Sequence, residues 1–150
     1  MIFFLVITLG VGAVSAIFNN NSMDNYKNYN RPILSPPGSL FPIVWSILFV
    51  LMAISAYIIY TSDTTKKEKA EALFLYFLQL VINFFWTIIF FTFDQVLLGF
   101  LWIILLWLVV IFMMIAFFKI KPIAAYLQIP YILWLSFAAY LNLGIYVLNK

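Results

Sequence analysis

The sequence predicts an all-α integral membrane protein, a bundle of five transmembrane helices with a long Pro-rich loop between the first two, folded as a single domain over residues 1–150. Three observations predict it. Hydrophobic residues make up 67% of the chain and mean hydropathy is +1.12, a level that leaves a water-soluble core without enough polar surface to cover it. The apolar residues fall into runs near the length of about 20 that spans a bilayer core as a helix. These runs are Ile2–Phe18, Phe41–Tyr60, Ala72–Phe93, Val96–Phe118 and Ile123–Leu148. Every Lys, Arg, Asp and Glu lies outside them or at their edges. The runs are continuous rather than alternating, which argues against a β-barrel.

The first span is short and carries Gly10, Gly12, Ala13, Ser15 and Ala16. Small residues let helix backbones approach closely. Gly12 and Ala16 form a small-xxx-small pair, which serves either packing inside the bundle or a contact between two copies. Met1–Ser22 also has the apolar stretch of a cleaved signal peptide, with Ala13-Val14-Ser15 as a small-residue cleavage site. No Lys or Arg precedes it, so it is kept as a span.

Asn19–Ser39 is rich in Asn and Tyr and ends in Pro32, Pro36 and Pro37. Prolines at this density stiffen the backbone and remove amide donors. Such a loop is either a rigid connection or a lid over the mouth of the bundle. Span two opens on Phe41-Pro42, and proline suits a first helical turn. Trp45, Phe49, Met52 and Ala56 then share one face.

Span three carries the least apolar pattern. Gln79, Asn83 and Trp86 recur at i, i+4 and i+7, with Thr87 continuing the row. A carboxamide costs a few kcal/mol to hold in hydrocarbon without a partner, so roughly that penalty drives these amides inward. There they either tie helices together or contact a ligand. Asp94-Gln95 predicts a very short turn. Span four has no polar face beyond Trp102 and Trp107. It is expected to meet lipid or a second subunit and to contribute least to any site. Pro130 divides span five, which either kinks there or properly begins there with Ile123–Ile129 lying shallow. Beyond it Trp134, Ala138 and Asn142 repeat every four residues, beside Phe137 and Leu141.

Loop charge sets the expected orientation. Lys66, Lys67, Lys69, Lys119 and Lys121 fall on one side of a five-span bundle, and Lys27, Arg31 and Lys150 on the other. The first group reads as cytoplasmic, which puts the N-terminus inside. There is no Cys and no His. That removes disulfides, thiolate chemistry, imidazole bases and the usual zinc or haem ligands, and no metal site is expected. The net charge of +3 is confined to loops and does not read as nucleic-acid binding.

Three motifs carry a resemblance. They are Pro36-Pro37-x-x-x-Phe41-Pro42-x-x-Trp45, then Gln79-x-x-x-Asn83-x-x-Trp86 followed by Phe90-Phe91, then Pro130-Tyr131-x-x-Trp134-x-x-Phe137-Ala138-x-x-Leu141-Asn142. In this order and spacing the chain resembles the TspO/MBR family, the translocator proteins once called peripheral benzodiazepine receptors. The resemblance implies a dimeric five-helix bundle whose pocket opens toward the long first loop and binds tetrapyrroles, sterols and benzodiazepine-type drugs. It implies a lining of Trp45, Asn83, Trp86, Trp134, Phe137, Ala138 and Leu141, with Pro37 and Phe41 closing the mouth. Gln79 and Asn142 join from their spacing on the same faces. The chain departs from the family at Leu34 and Ser39, where relatives often carry Trp. It departs again at the apolar stretch Trp102–Leu105, where many carry an acid, and at Leu143, where they carry Tyr.

The function expected is a membrane-embedded binding protein for porphyrin-like tetrapyrroles, acting as sensor or transporter without a required cofactor. Its partners are the bilayer, the small hydrophobic ligand and a second copy of the chain, with no nucleic acid. Two alternatives stand beside it. One is a light-dependent porphyrin-degrading enzyme using Trp45 and Trp134, although the spans contain no general acid or base. The other is a ligand-free scaffold subunit.

Overall fold

A computed structural model describes residues 1–18, 40–89 and 96–149, without the side chains of 15–18 and 87. The Pro-rich loop with Lys27, Arg31 and Pro37, the Phe90-Phe91 pair and the Asp94-Gln95 turn lie outside the described residues. The described residues form α1 (Ile2–Phe18), α2 (Leu40–Tyr60), α3 (Lys66–Thr87), α4 (Val96–Ile120), α5 (Pro122–Tyr126) and α6 (Ile129–Leu148).

Local chemistry sets the helix ends. Pro42 sits in the first turn of α2, where a missing N–H goes unnoticed. α3 begins at Lys66, before the apolar run at Ala72, because Thr65 caps it. The Thr65 hydroxyl accepts from the Glu68 amide at 3.2 Å, the first half of a capping box. Thr64 hydrogen-bonds the Glu68 carboxylate. Hydropathy marks where lipid begins, and the cap marks where the helix begins.

Of the two outcomes open at Pro130, the chain breaks rather than kinks. α5 ends at Tyr126, Leu127 and Gln128 turn, and α6 starts with Pro130 in its first turn. α5 docks inward through Ala124 and Ala125, both buried. The Ser55 hydroxyl of α2 donates to the Ala124 carbonyl at 2.6 Å.

Leu40–Tyr60, Lys66–Trp86, Val96–Ile120 and Pro122–Leu148 are each long and apolar enough to cross a membrane, and Ile2–Val14 is a shorter apolar helix. With α5 and α6 counted as one span, this is the expected five-helix membrane bundle. α1 lies antiparallel against α2, with the Phe4 ring edge-on to Tyr60 at 5.7 Å and to Tyr76 at 6.2 Å. The Thr8 hydroxyl hydrogen-bonds the Tyr76 phenol and joins α1 to α3.

α4 does more than its apolar pattern suggests. Its outward face is apolar and exposed, as at Leu101, Leu108 and Phe112. Its inward stripe of Gly99, Ile103, Leu106, Val110, Met113 and Phe117 is buried and packs between α3 and α6. The spacing alternates four and three, the narrow seam of a helix clasped between neighbours. Trp102 donates its indole N–H to the Ile82 carbonyl at 2.9 Å, and Trp107 donates to the Ser136 hydroxyl at 2.9 Å. α4 is thus the spine that holds α3 and α6 in place. The α2 and α6 backbones scarcely approach each other, and large side chains fill the space between them.

Gly12 resolves its own alternative. A Cβ added there would lie 2.6 Å from Phe49 Cε2, so this glycine packs inside the bundle against α2. Phe49 cannot readily yield, since it is buried and stacked on Trp45 at 5.6 Å. Gly12→Ala is therefore expected to introduce overpacking of about 1–3 kcal/mol, outweighing the roughly 0.5–1 kcal/mol it gains in helix propensity. A Cβ added at Gly10 would meet nothing within 4 Å, so Gly10→Ala shows the propensity gain alone. Thermal unfolding of the detergent-purified protein should place Gly12→Ala below the parent and Gly10→Ala at or above it.

Candidate functional site

Two layers make the site, one of hydrogen bonds and one of rings. Gln79 and Asn83 stand one turn apart on α3 and both meet the phenol of Tyr131 on α6. Tyr131 donates to Gln79 Oε1 at 2.7 Å and accepts from Asn83 Nδ2 at 2.9 Å. One turn further, Trp86 Nε1 donates to Asn142 Oδ1 at 3.3 Å. Asn142 Nδ2 in turn donates to the Val96 carbonyl at the start of α4, at 2.7 Å. Gln79, Asn83 and Asn142 are all buried. The inward turn expected of the amides is what the structure has. Their hydrogen bonds go largely to α4 and α6, which is the helix-joining alternative. The exception is Gln79 Nε2, whose contact is Met52 Sδ at 3.8 Å, a weak acceptor.

Tyr131 is a residue that spacing alone does not single out. It stands in the motif beside Pro130, and its signal is position: three residues before Trp134, it shares that inward face. Gln128, three residues earlier again, also escapes the sequence pattern. Its side chain is buried, and both amide atoms lack a hydrogen-bond partner among the described residues.

The rings form the second layer around Trp45. Trp45 lies 6.2 Å from Trp86, 6.2 Å from Tyr131 at 70° and 6.4 Å from Trp134 at 90°. These are the tilted and edge-on geometries that aromatic quadrupoles favour. Phe41 sets its edge on Trp134 at 5.8 Å, and Trp134 continues to Phe137 at 5.7 Å. Ala138 and Leu141 are buried on the same helix. These contacts join Phe41, Trp45, Gln79, Asn83, Trp86, Trp134, Phe137 and Asn142, while Pro37 lies outside the described residues.

A cavity of about 570 Å³ opens outward between α2 and α6, within the roughly 300–1,000 Å³ usual for ligand sites. Trp134 and Phe137 wall it together with Leu40, Val44, Ile47 and Leu48 of α2 and with Pro130 and Leu133 of α6. Trp45, Asn83 and Trp86 are not among its lining residues. The aliphatic lining from α2 has no signal in the sequence, because an apolar row facing a groove reads like one facing lipid. Trp134 Nε1 is buried without a hydrogen-bond partner among the described residues, although a buried indole N–H usually finds one. Chemically, the cavity offers flat apolar walls, while the Trp134 N–H is buried rather than exposed to it.

The Tyr131 hub makes a measurable claim. Tyr131→Phe removes the partner of both Gln79 and Asn83 and is expected to destabilise the bundle by about 0.6–1.7 kcal/mol, the span measured for interhelical hydrogen bonds. Gln79→Leu combined with Tyr131→Phe should cost less than the sum of the two singles. Additive losses in a detergent unfolding titration would show that the pair is not coupled.

The chain is similar to known proteins along nearly its whole length. The family model described as TspO/MBR family matches residues 3–148. "Tryptophan-rich protein TspO" of Chlorobaculum tepidum is 36% identical over 124 residues, covering 83% of this chain and 78% of that protein. "Tryptophan-rich sensory protein" of Cereibacter sphaeroides is 32% identical, covering 83% and 76%. "Translocator protein" of Sus scrofa is 30% identical, covering 93% and 83%. With the family match in hand and the five-span bundle in place, this multi-pass membrane protein belongs to the TspO/MBR family.

Proposed function

We propose that this chain is a membrane-embedded binding protein for flat, largely apolar macrocycles of porphyrin type, working as a sensor or transporter. The single observation that carries the proposal is the cavity of about 570 Å³ between α2 and α6, walled by the Trp134 and Phe137 rings and by aliphatic side chains. An aromatic and aliphatic wall holds a flat ring system by area. The roles divide accordingly. Gln79, Asn83 and Asn142 fix the helices, Trp134 and Phe137 supply the ring surface of the cavity, and Phe41 and Trp45 pack edge-on against Trp134. Ile47 and Leu133 of the cavity wall are exposed, which gives a lipid-soluble ligand a route from the bilayer. The names of two relatives, a sensory protein and a translocator protein, agree with this class of function. The proposal includes a homodimer with a cytoplasmic N-terminus, the latter from the lysine distribution. The buried polar side chains among the described residues are hydroxyls, amides and phenols, a set suited to holding a ligand rather than to acid–base turnover.

Protoporphyrin IX titrated into the detergent-purified protein, followed by the porphyrin absorption band, tests the proposal. Saturable binding is expected. Trp134→Ala removes a large ring from the cavity wall, so affinity should fall at least several-fold. Leu48→Trp narrows the cavity and should weaken binding further. Tyr131→Phe should lower stability while leaving the dissociation constant nearly unchanged. Unsaturable partition, identical in all variants, would instead identify a ligand-free scaffold. A chemically altered porphyrin after illumination would identify the degrading enzyme.

A further inference from the structure

We propose a second site, for an anionic phospholipid, in the cleft between the C-terminal half of α4 and the break joining α5 to α6. The cleft has a volume of about 370 Å³ and shares no residue with the cavity between α2 and α6. The inference stands apart from the tetrapyrrole reading. Its origin is the Pro130 break: α5 ends after five residues, and the chain turns before α6 resumes. A wedge is left against α4. Met114, Ile115 and Phe118 form one wall, and Ala125 and Ile129 face them. From Ile111 to Lys119 the α4 wall runs roughly 12 Å at 1.5 Å per residue, room for a stretch of acyl chain.

The mouth carries the charge. Lys119 lines the cleft in the last turn of α4, and Lys121 follows at the start of α5. Both are exposed, and neither has an ion-pair or hydrogen-bond partner for its ammonium among the described residues. The acidic residues at this end, Asp63, Glu68 and Glu71, belong to the α2–α3 connection and the start of α3. There the Glu68 carboxylate is taken up by the Thr64 hydroxyl. Phe118 and Tyr126 meet edge-on at 6.1 Å and line the cleft together with Lys119. An apolar slot below two unpaired cations matches an amphiphile with a chain and a negative head. A zwitterionic lipid brings its own ammonium and gains less from the same pair.

Native mass spectrometry of the protein in neutral detergent tests the assignment, with dioleoyl phosphatidylglycerol and dioleoyl phosphatidylcholine as probes. The expected result is one retained phosphatidylglycerol per chain, bound at least about tenfold tighter than phosphatidylcholine, as two interfacial cations imply. Lys119→Gln with Lys121→Gln, both at exposed positions, should erase that preference. Ile115→Trp should weaken both lipids by narrowing the slot. Equal affinities in the parent protein, or a preference that survives the double substitution, would overturn the proposal. So would full displacement of the lipid by inorganic phosphate, which would reduce the site to an anion contact without a chain slot.

Discussion

A polar group surrounded by hydrocarbon has no water to fall back on, and the architecture of this bundle follows from that constraint. Inward polar side chains meet their partners on other helices. Thr8 meets Tyr76, and Ser55 meets the Ala124 carbonyl. Trp102 meets Ile82, and Asn142 meets Val96. Together these bonds tie α1 to α3, α2 to α5, α3 to α4 and α4 to α6. Without a hydrophobic force to drive helices together in lipid, such bonds and close packing choose the neighbours.

The same constraint keeps the amides out of the cavity wall. Gln79, Asn83 and Asn142 are engaged with partners on neighbouring helices, and the cavity between α2 and α6 is walled by rings and aliphatic side chains. Between α2 and α6 the backbones stay apart, and Phe41 and Trp45 of α2 meet Trp134 of α6 edge-on across that space. α4 packs against α3 on one side and α6 on the other.

Gln128 stands outside this pattern of partners. It is buried in the α5–α6 break with neither amide atom engaged among the described residues. The break is also where Pro130 withholds an N–H. Irregular backbone at membrane depth is tolerated where protein covers it, and the burial of Ala124, Ala125 and Gln128 meets that condition.

The sequence by itself determined the class, the spans and the inward faces. Charge is excluded from hydrocarbon and helices repeat every 3.6 residues, so the runs, the Gln79-Asn83-Trp86 row and the Trp134-Ala138-Asn142 row were legible from composition and spacing alone. The family was legible too, because its motifs hold their internal spacing across three spans. Tertiary structure decided which face meets which. That Asn83 answers Tyr131, that Gly12 lies on Phe49, and that featureless α4 is the spine all depend on contacts between residues far apart in the chain. Periodicity reports the direction a side chain leaves its own helix. The identity of the group waiting there is set only when the helices pack.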